Sequence, residues 1–241
     1  MIRKTLWSVP GLVGTTALLT ACGGPFAGPH QPSPTAIPLS SAQLAPYVGR
    51  YDITGPVTGS SIMRIFPASG GTVRVVLHET IGQTTLFQQF TLAAKGLQVR
   101  QASERIVAPH ATVTISAHPQ GAVLQEHATV NGRIETPQIT LRSPWQVNSV
   151  LLAAISGMHL RPHAGATLED VILQHATSVP LALAIGQVTL LSTPVGKVRC
   201  YPVTLSAGGR QQTAWYEVAA PHALIKYTNG PETFMIVALS R

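Results

Sequence analysis

Short β-rich runs separated by turn residues constrain the fold of this chain more than any other feature. The clearest run extends from Ala111 to His118, where apolar Val113, Ile115 and Ala117 alternate with polar residues. Such alternation indicates a strand with one buried face. Similar runs recur about every ten residues with short connections, which favours antiparallel pairing because parallel pairing needs long crossovers. The pattern therefore predicts an antiparallel meander with strands at 47–53, 61–66, 72–79, 84–92, 96–102, 111–118, 122–130, 138–142, 179–185, 188–191, 197–205, 211–218, 224–227 and 232–239.

Turn residues separate these runs. Breaks fall at Gly55-Pro56, Gly70-Gly71, Asn131-Gly132 and Gly208-Gly209, among others. Asn229-Gly230 tolerates positive φ at both turn positions, so it predicts a two-residue hairpin between the last two strands.

Helical signals are few. Asn148 or Ser149 can cap an apolar run that Gly157 can end, which predicts a helix over 148–156. Residues 167–173 can open a second helix or form a strand, and both alternatives stay open. We therefore expect a mainly β protein with one or two short helices.

The first residues are typical of a bacterial export signal. Arg3 and Lys4 precede a mostly apolar stretch, Leu6–Leu19, that is too short and too interrupted for a stable membrane-spanning helix. The motif Leu19-Thr20-Ala21-Cys22 resembles a lipobox, the recognition site of the lipoprotein signal peptidase. The resemblance implies cleavage before Cys22 and acylation of that residue, which would anchor the chain to a membrane.

These motifs predict three segments: a lipoprotein signal peptide over 1–21, a lipidated cysteine and Pro-rich tether over 22–46, and one β-rich envelope domain over 47–241. The tether has no charged residue, and extended it would reach roughly 70 Å from the bilayer. Gly23 follows the cysteine where Asp would signal inner-membrane retention. We therefore expect the outer membrane in a cell with two membranes, and otherwise the outer face of the cell membrane.

Composition and motifs argue against several functions. The formal charge of +7 is spread over isolated arginines without a basic run, so a nucleic-acid partner is not expected. The sequence contains neither Gly-x-Ser-x-Gly nor Ser-x-x-Lys, and it offers no reason to choose a catalytic carboxylate pair. We expect neither an enzyme nor a cofactor.

Cysteine and histidine are the residues that could form a reactive or metal-binding site in this chain. Cys200 is interpreted as a buried apolar residue rather than a nucleophile beside His222, because Lys197 and Arg199 should point to the opposite face. The strand histidines that could converge on zinc fit equally well as exposed polar residues, so no metal is expected; they are His110, His118 and His127.

The C-terminal part of the chain, 148–241, resembles a family of exported bacterial proteins of unknown function. The motifs that carry the resemblance are Asn148–Leu152, Leu160–Gly165, Thr193–Val203, Ala214–Tyr216 and Leu224–Tyr227. The resemblance implies an antiparallel sheet curled into an incomplete barrel, similar to lipoprotein-carrier proteins and other periplasmic lipid-handling modules. It implies no catalytic residue.

Apolar strands suggest what such a protein binds. Val179–Ile185 and Met235–Leu239 carry apolar residues on both faces, which predicts that both faces are covered, by protein or by a ligand. We therefore expect a membrane-anchored, non-catalytic module that binds a lipid or another apolar ligand; the alternative is a scaffold that docks another envelope protein. A hydrolase with an unrecognised site ranks third. The candidate ligand contacts are Trp145, Met158, Trp215 and Phe234.

Overall fold

A computed structural model describes residues 35–36 and 42–241, and within them the chain forms one sheet of 18 strands. The predicted signal peptide, Cys22 and most of the predicted tether lie outside the described residues. The strands are β1 Thr35–Ala36, β2 Tyr47–Thr54, β3 Gly59–Ala68, β4 Thr72–Ile81, β5 Thr84–Ala93, β6 Val99–Ala108, β7 Ala111–Gln120, β8 Val123–Val130, β9 Arg133–Glu135, β10 Gln138–Thr140, β11 Trp145–Val147, β12 Ala164–Ile172, β13 Thr177–Ile185, β14 Thr189–Thr193, β15 Gly196–Ala207, β16 Arg210–Glu217, β17 Leu224–Asn229 and β18 Glu232–Ser240.

Most neighbouring strands in the sequence are also antiparallel neighbours in the sheet. Strands β2 to β9 form a continuous meander, and β15 to β18 form a second one. The last strand, β18, pairs with β2 and so joins the two halves into one sheet. Short β1 and β11 are exceptions, because each pairs in parallel with β12. The predicted antiparallel meander is thus confirmed.

The sheet curls without closing. Strand β10 turns back onto β8 at one end of the sheet, and its Cα atoms come within 8 Å of those of β13 near the other end. Alternating residues face inward along most strands, as in β7, where Ala111, Val113, Ile115 and Ala117 are buried. The inward residues form one continuous core that extends over both halves. The fold is the expected mainly β, incomplete barrel.

One α-helix, α1, Asn148–Ser156, packs inside the curled sheet. Its run of apolar residues explains this position, because a helix that is apolar on nearly all sides must be buried. Its range and its end at Gly157 agree with the prediction, but the predicted cap is wrong: Val147 is the N-cap residue, without a side-chain cap. No helix in residues 42–241 is long and apolar enough to cross a membrane.

The structure corrects several local predictions. Residues 167–170 belong to strand β12, so the second helix is absent there, and only a short 3-10 turn follows at Leu173–His175. Strand β6 begins at Val99 rather than at Gly96, because Leu97 has a left-handed backbone that interrupts the strand. Short β9 and β11 carried too few residues to show a pattern.

The hairpin turns near Asn229-Gly230 and at Asn131-Gly132 differ in which residues form the two-residue loop and in their backbone angles. The last hairpin has a two-residue loop as predicted, but Asn229 pairs with Glu232, so the loop is Gly230-Pro231. Positive φ at both turn positions occurs instead at Asn131-Gly132, between β8 and β9. Both hairpins keep the short connection that the sequence indicated.

The expectation of two covered faces is wrong for β13. Leu181, Leu183 and Ile185 point inward and are buried, whereas Ala182 and Ala184 are exposed on the outer face. Alanine at these outer positions leaves little apolar surface in water, so the strand needs covering on one side only.

Candidate functional site

The interior of the barrel contains a cluster of buried carboxyl and amide groups beside helix α1. We call Glu79, Glu104, Asp170, Gln88 and Gln174 the interior polar cluster; all five side chains are buried. A cavity of about 60 Å³ lies between the cluster, α1 and the strands. Ligand pockets usually measure about 300–1,000 Å³, so this cavity is too small for an acyl chain.

Glu104 is the best-connected member of the cluster. It points inward from β6 and accepts hydrogen bonds from the Ser149 hydroxyl, at 2.5 Å, and from the Gln174 amide. Burial raises the pKa of Glu104 to about 7, although both hydrogen bonds oppose that rise. Gln174 Oε1 has no hydrogen-bond partner among the described residues. If the Gln174 amide were reversed, this oxygen could accept a hydrogen bond from the protonated carboxyl of Glu104.

Glu79 and Asp170 resemble Glu104 in their environment. The Ser61 hydroxyl donates to Glu79 at 3.1 Å, and the Asn148 amide donates to Asp170 at 2.7 Å. Burial raises the pKa of each carboxyl to about 7. Each of these two carboxyls thus accepts a hydrogen bond from one neutral donor rather than from a cation.

Glu126 on β8 faces inward without any such donor. Both of its carboxylate oxygens are buried and unpartnered in the part of the chain that the structure describes. Burial first, and then the nearby carboxyls of Glu104 and Glu135, raise its pKa to about 8. A neutral acid is therefore the stable form of Glu126 at neutral pH.

Basic groups are absent from this interior. Among residues 42–241 no Lys, Arg or His side chain is buried, and no group of three His, Cys, Asp or Glu side chains is arranged to hold a metal ion. The cluster can hold protons and hydrogen-bond small polar groups. Its carboxyls are linked to α1 through Ser149 and Asn148, so it also fixes the helix inside the sheet.

A larger opening lies where the chain enters β2. We call it the Met158 groove: Gln43 and Ala45 form one side, the end of α1 and Met158 another, and the loop Ala220–His222 the third. Its volume is about 360 Å³, within the range of small-molecule sites. Met158 is buried at its base, and a flexible thioether suits an apolar ligand of irregular shape.

The four predicted ligand contacts do not converge on one site. Only Met158 lines the groove. Phe234 faces the interior and packs on Tyr227, with ring centroids 5.5 Å apart. Trp215 shares the other face of the sheet with Lys226, whose ammonium lies 4.9 Å from the ring centroid. Trp145 is half-buried on β11. The four side chains therefore lie on different strands or on different faces of the sheet.

The structure also shows where Cys200 and the strand histidines lie. Cys200 is buried on β15 while Lys197 and Arg199 are exposed, as the alternation indicated. Burial, with a smaller effect of Glu217, raises the pKa of the Cys200 thiol to about 12, so a reactive thiolate is disfavoured. His110, His118 and His127 are exposed.

Comparisons with known proteins support the fold and go no further. The crystal structure of a β-barrel-like protein with a domain of unknown function, DUF1849, from Brucella abortus is similar, with a TM-score of 0.55 and 12% sequence identity. The alignment covers 83% of this chain and 99% of that protein. No protein-family model and no curated protein matches the sequence. The class defined by the fold is therefore a β-barrel-like protein.

Proposed function

We propose that this protein is a lipid-anchored envelope module that binds a small apolar ligand, or the end of an acyl chain, in the Met158 groove. Its anchor is the acylated Cys22, as the lipobox-like motif implies. The module is non-catalytic, because the acids near its interior are buried among neutral donors. The groove, rather than the barrel interior, is the proposed site.

The size and position of the groove carry this proposal. The groove holds about 360 Å³, whereas the interior cavity holds about 60 Å³. Gln43 and Ala45, which line the groove, belong to the end of the predicted tether. An anchored Cys22 would keep the groove within reach of a bilayer, because the intervening chain spans roughly 60 Å at most.

Ligand binding can be measured without the anchor. The test chain is the mature-length chain, residues 22–241 with Cys22→Ser, which contains the described residues and their whole core. We expect it to bind a fluorescent medium-chain fatty acid. Ala45→Trp should abolish binding by filling the groove, since Ala45 is exposed and its replacement leaves the core intact.

Ala182→Trp is the matched control, because Ala182 is also exposed but lies on the outer face of β13. It should bind the fatty acid as the parent chain does. Equal binding by the two tryptophan variants, or no binding by the parent chain, would contradict the proposed groove site.

A scaffold role is the second candidate, and one observation favours it. Leu190 and Val195 of the β14–β15 hairpin are 61% and 39% exposed. Exposed apolar residues on a hairpin can dock a partner protein. Site-specific cross-linking from position 195 in intact envelopes should then recover one defined partner, and adding Leu190→Ser should lose it.

A further inference from the structure

Strands β3 to β8 of the N-terminal half separate their charges between the two faces of the sheet. Strands β3 to β8 contain three acidic residues, Glu79, Glu104 and Glu126, and all three are buried on the inner face. Their outer face carries four exposed arginines and no carboxylate. We call this outer face the basic face; its arginines are Arg64, Arg74, Arg100 and Arg105.

Among residues 42–241, none of these four arginines forms a salt bridge with a carboxylate. The described salt bridges join Arg133 to Glu135 and Arg241 to Glu217, both outside the basic face. The outer surface of the C-terminal half is different, because Glu169 and Glu217 stand there among basic residues. No carboxylate on the outer face of strands β3 to β8 therefore offsets the positive potential of the basic face.

Apolar rings lie among the arginines. Phe66 is 37% exposed and lies under Arg74, whose guanidinium carbon is 5.9 Å from the ring centroid. Phe87 is 46% exposed and pairs across the sheet with Arg105. Exposed rings beside cations suit a membrane interface, where the ring enters the headgroup region and the cation meets lipid phosphates.

We propose that the basic face docks the barrel onto the surface of an anionic membrane. This inference rests on the proposed function for its membrane, since the anchor at Cys22 would bring the body there. The predicted tether is long enough for any side of the body to reach the bilayer. Charge complementarity favours the basic face, because its acids are folded into the interior and its outer side carries no carboxylate that would repel anionic lipid.

The test measures co-sedimentation of the mature-length chain with vesicles. This chain is unacylated, so failure of docking is distinguishable from failure of the anchor. We expect binding to vesicles of equal parts phosphatidylglycerol and phosphatidylcholine, weaker binding in high salt, and little binding to phosphatidylcholine alone. Each arginine at an anionic surface contributes about fivefold to partitioning.

Two variants of the basic face and a charge-matched control elsewhere make the test specific. Replacing the four arginines of the basic face with Gln should lower partitioning at least about a hundredfold, whereas their replacement with Lys should preserve most of it. The control replaces four exposed cations elsewhere with Gln and should lose less than about tenfold; these are Arg142, Arg161, Lys197 and Arg199.

Three results would overturn the proposal. Equal losses in the two Gln variants would mean that net charge alone drives binding. Equal binding to both vesicle types would exclude recognition of anionic lipid. A preference for a soluble polyanion, such as heparin, over anionic vesicles would assign the basic face to a polymer instead.

Discussion

Replacing buried Glu104 with Gln should stabilise the protein in alkaline solution and leave it nearly unchanged in acid. Glu104 lies 1% exposed in the interior, and burial raises its pKa from 4.5 to about 7. Because one pKa unit corresponds to about 1.4 kcal/mol, ionising this carboxyl in the folded state costs about 3 kcal/mol. Gln carries no charge and avoids that cost.

The direction of the pH dependence follows from proton binding. Below pH 4.5 Glu104 is protonated in both the folded and the unfolded chain, so its contribution to the free energy of unfolding is most favourable there. Between pH 4.5 and about 7 the unfolded chain releases its proton while folded Glu104 keeps it, so the free energy of unfolding falls. Above about pH 7 both states are ionised and the loss is complete.

Urea unfolding of the mature-length chain at pH 4.5 and at pH 8 measures this effect. Glu104→Gln should gain up to about 3 kcal/mol at pH 8 and little at pH 4.5, with an unchanged m-value. The hydrogen bonds can persist, because Gln174 can reverse its amide and offer its unpartnered Oε1 to the new NH₂ group. Glu169→Gln on β12 is the control, because it makes the same substitution at a partly exposed carboxyl on the outer face. If Glu104→Gln changed stability equally at both pH values, or lowered it at pH 8, then ionisation of buried Glu104 would not be the cause of the pH dependence.

Three further predictions test other parts of the structure. Cys200 should resist Ellman's reagent in the folded mature-length chain and react after unfolding, since its thiol is buried with a pKa of about 12; rapid labelling of the folded chain would contradict this. Tyr216→Phe should cost about 1 kcal/mol in urea unfolding, because it removes the 2.9 Å hydrogen bond from the hydroxyl to the carbonyl oxygen of Leu152 in α1. Gly59→Ala should cost about 1–3 kcal/mol, because a Cβ there would lie 2.0 Å from the Thr80 carbonyl oxygen; no change in unfolding midpoint would show that β3 and β4 are not packed as described.

Strand periodicity made much of the fold predictable. The alternation in 111–118 indicated which residues of β7 are buried, and the apolar run over 148–156 indicated the helix. The pairing of β18 with β2 could not be derived, because it joins opposite ends of the chain and no local pattern encodes it. Strand β12 was ambiguous because buried Asp170 disrupts the expected alternation of apolar residues.

The sites were less predictable than the strands. The interior acids did leave a signal: Glu79 is in phase with buried Val75 and Leu77. An acid at an inward position of a strand indicates a buried carboxyl. The Met158 groove left none, because segments that are far apart in the sequence meet there. The three aromatic residues that the sequence suggested as ligand contacts do not line this groove.

The mass of the protein extracted from bacterial envelopes tests the central proposal most directly. We predict a mature chain that begins at Cys22, carries acyl groups on that residue and fractionates with membranes, whereas Cys22→Ser should lose the acyl mass. An unacylated chain that still begins at Met1 and stays in the soluble fraction would contradict the proposed lipid anchor.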